Sequence, residues 1–197
     1  MDQITIDTYN KMAKEYDDET IEFWNTFPRT FLDKFCTSVK GKILNIGSGP
    51  GRDGLLLQEK GLEVVCLDAS EEMVKLSQGR GLESVLGDLL KLPFPENSFG
   101  GVWAYTSLLH ISKKDIDKAF LEIKKVLPVG GILGLGFIEG EGEIYRESSG
   151  VSMSRLFSFY TKEEIEQLLE KHRFEILYFE TFKPGSRNYL NFVAKKI

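Results

Sequence analysis

Two cysteines, two histidines and six prolines in 197 residues leave little material for several kinds of chemistry. Two cysteines cannot build a disulfide framework. Cys36 sits in an N-terminal helical region and Cys66 inside an apolar run, so both read as buried thiols of a reducing compartment. No Cys/His/Asp group shows metal-ligand spacing, and no Gly-x-Ser-x-Gly elbow occurs, so no metal and no serine-hydrolase chemistry are expected. No apolar run approaches the roughly 20 residues that span a bilayer. The opening Met1-Asp-Gln-Ile-Thr5 lacks the basic start and apolar core of a signal peptide. A cytoplasmic chain without a membrane partner is expected. Lys and Arg never stand more than two together and the net charge is −5, which speaks against strong nucleic-acid binding. Repeats and low-complexity segments are also missing. What remains is a globular composition, 42% hydrophobic, 12% aromatic and 28% charged, at a length that fits a single domain over 1–197 with a sizeable core.

Residues 5–36 carry apolar and aromatic positions at three- and four-residue spacing. This predicts two helices, broken near Asp17–Asp18, with Pro28 disturbing the second. Strands are expected at 42–47, 63–68, 83–87, 100–105 and 131–138, and helices at 52–60, 71–78 and 114–126. Such alternation implies a parallel sheet covered on both faces. Segment 139–154 shows no periodicity and reads as a long loop on the carboxyl-end side of the sheet, where loops tend to be functional. Thr161-Lys-Glu-Glu164 is a capping box opening a helix to about His172. The link between the last strands, 174–181 and 188–195, is too short for a parallel crossover, so they form an antiparallel hairpin. The chain thus divides into a helical lid (1–40), a core (41–138), a substrate-side loop (139–160) and a closing helix with hairpin (161–197).

The densest signal is Lys42-Ile-Leu-Asn-Ile-Gly-Ser-Gly-Pro-Gly-Arg-Asp-Gly54, followed by Val64-Val-Cys-Leu-Asp68. It reads as strand, tight turn, helix, strand and acid. Gly47, Gly49 and Gly51 permit backbone conformations closed to other residues and let a ligand approach closely. The helix starting near Arg52 aims free N–H groups at that ligand. Asp68 is placed to accept hydrogen bonds from a ribose diol. The unit therefore binds a nucleoside-containing cofactor. Gly49-Pro-Gly-Arg-Asp-Gly54 also satisfies the dinucleotide pattern, so NAD is a competing reading. Against it stand the tighter Gly47-x-Gly49-x-Gly51 pattern and a second acid, Asp88, suited to an adenine amino group. The terminal helix and hairpin, in place of a second mononucleotide-binding half, point the same way.

Taken together, these pieces resemble a class I S-adenosylmethionine-dependent methyltransferase over essentially the whole chain. The resemblance rests on the glycine loop 47–51, Asp68 with Ala-Ser-Glu-Glu-Met73, Gly87-Asp88 followed by Leu92-Pro-Phe-Pro, and Val102 to His110. The Leu127-Pro-Val-Gly-Gly131 turn and the final hairpin complete it. It implies a three-layer Rossmann-like α/β sandwich with a seven-stranded, mostly parallel sheet of order 3-2-1-4-5-7-6, strand 7 antiparallel. It implies S-adenosylmethionine as cofactor, with Gly47, Ser48 and Gly49 along its methionine part. Asp68 would hold the ribose hydroxyls and Ala69 lie beside the adenine. Asp88 would accept from the adenine amino group, Leu89 pack on the ring, and Ala104 face the sulfonium. The chain departs from the pattern at Asn45, where Asp or Glu is usual before the turn and where the amide would still accept from the cofactor's ammonium without the charge pairing, and also at Gly101 and Val129.

Methyl transfer needs alignment, exclusion of water and, for a protonated nucleophile, a base. His110 is the candidate base, with a cap on the following helix or packing under the lid as its plain alternative. Tyr160, Arg146 and Arg155 on 139–160 suit an anionic or hydroxylated acceptor, although Arg155 could instead pair with Glu139, Glu141 or Glu143. In the lid, Tyr16 or Tyr9 could reach the cofactor carboxylate, while helical spacing also suits plain core. His172 is explained by the helix dipole. The expected reaction is methyl transfer to an O, N or S atom of a small-molecule acceptor, by a monomer or homodimer. RNA nucleoside methylation and a non-catalytic cofactor-binding scaffold are the alternatives.

Overall fold

The carboxyl ends of β1 (Ile43–Ile46), β2 (Val64–Asp68) and β4 (Gly101–Tyr105) meet where the strand order of the sheet reverses. The computed structural model describes residues 1–148 and 151–197. Its main sheet has the order β3-β2-β1-β4-β5-β9-β8, with β3 at Glu83–Leu86, β5 at Ile132–Ile138, β8 at Phe174–Phe182 and β9 at Tyr189–Lys196. Only β9 runs against its neighbours. Apart from one added strand pair, this is the order 3-2-1-4-5-7-6 that the sequence led us to expect. β1, β4 and β5 are buried along their whole length, as befits strands covered on both faces.

Helices α4 (Arg52–Glu59) and α5 (Glu71–Gly79) follow β1 and β2, whereas α6 (Ile116–Val126) follows β4. Right-handed crossovers leaving β1 and β4 in opposite directions put them on opposite faces. α6 turns Ile116, Ala119, Phe120, Ile123 and Val126 inward at helical spacing. α7 (Lys162–Lys171) opens with the expected capping box, Thr161 and Glu164 each bonding the other's backbone amide.

The N-terminal region differs from expectation. It forms three helices, α1 (Gln3–Glu19), α2 (Ile21–Asn25) and α3 (Arg29–Ser38). α1 runs straight through Asp17–Asp18 because Asp17 is buried and shared by two cations, Arg52 Nε at 2.6 Å and the Arg80 guanidinium. Pro28 ends one segment and caps α3. α3 lays Phe31 and Phe35 against the indole of Trp103 in β4, with ring centroids 4.8 and 4.9 Å apart.

Segment 139–154, expected as a loop, is largely regular. β6 (Glu143–Ser148) and β7 (Val151–Ser158) pair antiparallel in a sheet of their own; their connection lies outside the described residues. β7 takes its outer partners from other elements. The Leu156 amide donates to Thr5 Oγ1 at 2.9 Å, and Thr8 Oγ1 donates to the Ser154 carbonyl at 2.8 Å. Those partners lie about 150 residues away in sequence, so the segment's own pattern carried no sign of them. Among the described residues no helix is long and apolar enough to cross a membrane.

Candidate functional site

The turn after β1 is tied to the end of β2. The Gly47 and Ser48 amides both donate to the Leu67 carbonyl, at 2.7 and 3.1 Å. Gly47 has φ +63°, and a Cβ there would stand 2.3 Å from that of Ser107, so the close approach of the two strand ends requires glycine. Gly51 is glycine for a different reason. A side chain there would meet Leu82 and Ser77 at 2.5 and 2.6 Å, on the packed side of α4, and Gly51 does not line the cleft. Gly47, Ser48 and Gly49 do line it, together with Asp68, Ala69 and Leu89, around about 630 Å³ of open space. Asp68 accepts the Gly49 amide on one oxygen at 2.8 Å and the Ser70 amide on the other at 2.9 Å. Each oxygen keeps a lone pair for a ligand. Burial pushes this carboxyl above its usual value.

A second carboxylate stands in the cleft wall. Asp53, in the first turn of α4, is 4% exposed and accepts Asn45 Nδ2 at 2.7 Å, the Gly54 amide at 2.8 Å and the Trp103 indole at 3.1 Å. No cation among the described residues lies within ion-pair distance of it. Burial raises its carboxyl to about 6. The amide oxygen of Asn45 is buried without any partner.

The third feature joins three distant segments. His110 Nδ1 lies 2.6 Å from the Leu156 carbonyl, which can only accept, so Nδ1 carries the proton in the neutral ring. Nε2 is then an acceptor, and the Tyr9 hydroxyl donates to it at 2.8 Å. The Tyr9 oxygen in turn accepts from Arg155 Nη1 at 3.0 Å. Burial lowers His110 to about 4, so it is neutral at physiological pH. Tyr9, Tyr16, Trp24, Thr106 and His110 line both this cleft and a wider neighbouring chamber of about 1260 Å³ that holds Arg155, Arg187, Phe157 and Tyr189. Thr106, at the carboxyl end of β4, has φ +52°, a strained value for a β-branched residue.

Residues 44–135 match a family described as a methyltransferase domain. A methyltransferase of Staphylococcus carnosus of uncharacterized function is 25% identical over 172 residues, 84% of this chain and 79% of that one. The sterol 24-C-methyltransferase ERG6B of Gibberella zeae is 32% identical over 105 residues, 48% of this chain and 27% of that one. The 1,6-didemethyltoxoflavin-N1-methyltransferase of Burkholderia thailandensis, solved with 1,6-didemethyltoxoflavin and S-adenosylhomocysteine, superposes with a TM-score of 0.78. It is 20% identical, over 98% of this chain and 87% of that one. Its fold is that of solved S-adenosylmethionine-dependent methyltransferases, and the match to the methyltransferase domain takes in just under half of the chain. The chain spans from about a quarter to about half the length of several curated relatives it matches.

Several expected site residues stand elsewhere than the sequence suggested. Ala104 is wholly buried beside Leu135, and Thr106, two residues on, reaches the cleft in its place. Asp88 accepts the Leu90 amide at 2.8 Å and the Met1 amino group at 2.6 Å, and Met1, not Asp88, lines the cleft. Asn45 lies behind Asp53. Arg146 is exposed, its guanidinium 4.8 Å over the ring of Phe159, and lines neither chamber. Tyr160 is buried beneath Lys113, 4.7 Å above its ring, in a separate depression with Glu164. Among the described residues Arg155 has no acid partner, and it bonds Tyr9 instead. Sequence reasoning missed Asp53, Thr106 and Arg187. Only Asp53 left a trace, as an acid directly behind the glycine turn.

Proposed function

We propose that this protein is a methyltransferase that moves the methyl group of S-adenosylmethionine to an O, N or S atom of a small-molecule acceptor. The observation that carries the reading is the pair of chambers meeting at Thr106 and His110, one walled by the glycine turn and the other by aromatic rings. The cofactor supplies an activated methyl on a sulfonium, and the chain's residues suit it. Asp68 keeps two lone pairs for a ribose diol, and Ala69 and Leu89 offer apolar surface to a base. Asp53 is a buried carboxylate without a cation, which an amino-acid ammonium would complete. Tyr9 and Tyr16 on α1 close the cleft from above, in the manner of a lid over 1–40.

A protonated nucleophile would give its proton to Tyr9 as the Tyr9 proton passes to His110 Nε2. His110 is a weak base while buried beside a cation. Its Nδ1–H stays on the Leu156 carbonyl, so Nε2 would be the atom that holds the accepted proton. Arg155 favours developing negative charge on the Tyr9 oxygen.

Binding decides the matter first. S-adenosylhomocysteine at a hundred times its Kd adds about 2.7 kcal/mol, which for a chain of this size raises Tm by roughly 5–10 °C. NADH leaves Tm unchanged, and Asp68→Ala abolishes the S-adenosylhomocysteine shift. Stabilisation by NADH without a response to S-adenosylhomocysteine overturns the reading.

A further inference from the structure

Arg155 is a cation without its counter-charge. Among the described residues three arginines are half-buried, and two of them, Arg52 and Arg80, share the carboxylate of Asp17. Arg155 has no carboxylate within 4.0 Å among the described residues, and its Nε is buried without a hydrogen-bond partner. Its guanidinium lies over the rings of Tyr9, Tyr16 and Phe157, at 5.1, 5.7 and 5.4 Å. These faces attract a cation weakly and, apart from the Nη1 donor given to Tyr9, leave its in-plane donors free. Directly across the ladder stands Arg146, whose guanidinium reaches the same Phe157 ring at 5.9 Å. Opposed like charges weaken a strand pair. The two acids on the chamber wall, Glu19 and Glu147, are exposed and hydrated, as is Arg187. Among the charged groups of the wall, Arg155 alone is withdrawn from water.

We propose that the acceptor carries an oxyanion, a carboxylate or a phosphoryl group, held by Arg155 in the wider chamber. The inference rests on the methyl-transfer reading and gives it a substrate class. A guanidinium presents a planar fork that matches two oxygens of such a group. Phe23, Trp24, Phe157 and Tyr189 wall the space around it, which suits a flat apolar body behind the charge. Because Arg155 already touches the Tyr9 hydroxyl, the anion is anchored beside the residue proposed to take the proton. Nucleophile and anion then lie a few bonds apart in the acceptor.

Three probes of one shape test this, benzoate, phenyl phosphate and neutral benzamide, titrated calorimetrically with and without saturating S-adenosylhomocysteine. At least one anion binds ten times more tightly than benzamide. Arg155→Met removes that preference while the affinity for S-adenosylhomocysteine stays within twofold, and Arg155→Lys retains part of it. Phenyl phosphate ahead of benzoate assigns a phosphoryl group, and the reverse a carboxylate. A melt of each variant shows that it is folded. If anions and benzamide bind alike, if neither binds, or if Arg155→Met keeps the preference, the inference falls. Loss of S-adenosylhomocysteine binding alone would strike the methyl-transfer reading and leave the anion preference measurable.

Discussion

Asn45 stands where the family resemblance assigns an acid, and Asp53 supplies a carboxylate to the same place. The pattern places an acid at the end of β1. Here the amide sits at that point and donates at 2.7 Å to a carboxylate offered by the first turn of α4. One buried negative charge is kept at the same spot, reached from the helix. Restoring the usual acid with Asn45→Asp therefore does harm. It sets two buried carboxyls in contact and removes the donor that Asp53 uses, at a cost of roughly 3 kcal/mol, within the range for breaking a buried charged contact. Tm falls by roughly 10 °C at pH 8. The deficit shrinks as the pH drops toward 5, because the pair then shares a proton. The double exchange Asn45→Asp/Asp53→Asn returns most of the stability. A melting series over pH 5–8 for the three variants checks this, and an Asn45→Asp protein as stable as the parent at pH 8 would contradict it.

At the scale of elements, the cleft is closed by α1, and α1 is held by its side chains. Asp17 grips Arg52 beside the glycine turn and Arg80 after α5, and Asn10 accepts from Ser70 Oγ at 2.7 Å. Asp17→Asn weakens the first tether while leaving the sheet untouched. Hydrogen exchange of the α1 amides should quicken at least tenfold, with β4 and β5 unchanged, and S-adenosylhomocysteine should dissociate faster. Unchanged α1 protection would show that packing alone seats the lid. The same elements mark what the sequence could disclose. The glycine turn, the strands flanking it and the capping box of α7 are legible because their causes lie within a few residues. The β6–β7 pair is not, since β7 is completed by Thr5 and Thr8 on α1. The Tyr9–His110–Arg155 chain spans 101 and 146 residues between partners. Each of its members has an ordinary local explanation, as a core aromatic, a helix cap or a surface cation. The fold was legible from local signals and long alternation, whereas the chamber beside the cofactor cleft depends on how far-off elements dock.

Over the whole molecule, two buried groups lining one cleft are shifted in opposite senses. Asp53 is raised from 3.8 to about 6, so between those values the folded chain holds a proton that the unfolded chain has lost. Its contribution to stability declines as pH rises through that window. His110 is lowered from 6.5 to about 4, so between those values the unfolded chain holds a proton that the folded one refuses. Its contribution declines as pH falls. Each slope is about 1.4 kcal/mol per pH unit, and over pH 4–6 they oppose one another. Replacing one group uncovers the other. His110→Gln, which keeps a side-chain amide able to meet the Leu156 carbonyl, removes the acid-side penalty. The variant's stability relative to the parent should rise steadily from pH 6.5 down to 4. Urea denaturation of both proteins at half-unit steps measures that difference directly, and a stability gap that stays constant across the window would mean that His110 titrates normally in the folded chain.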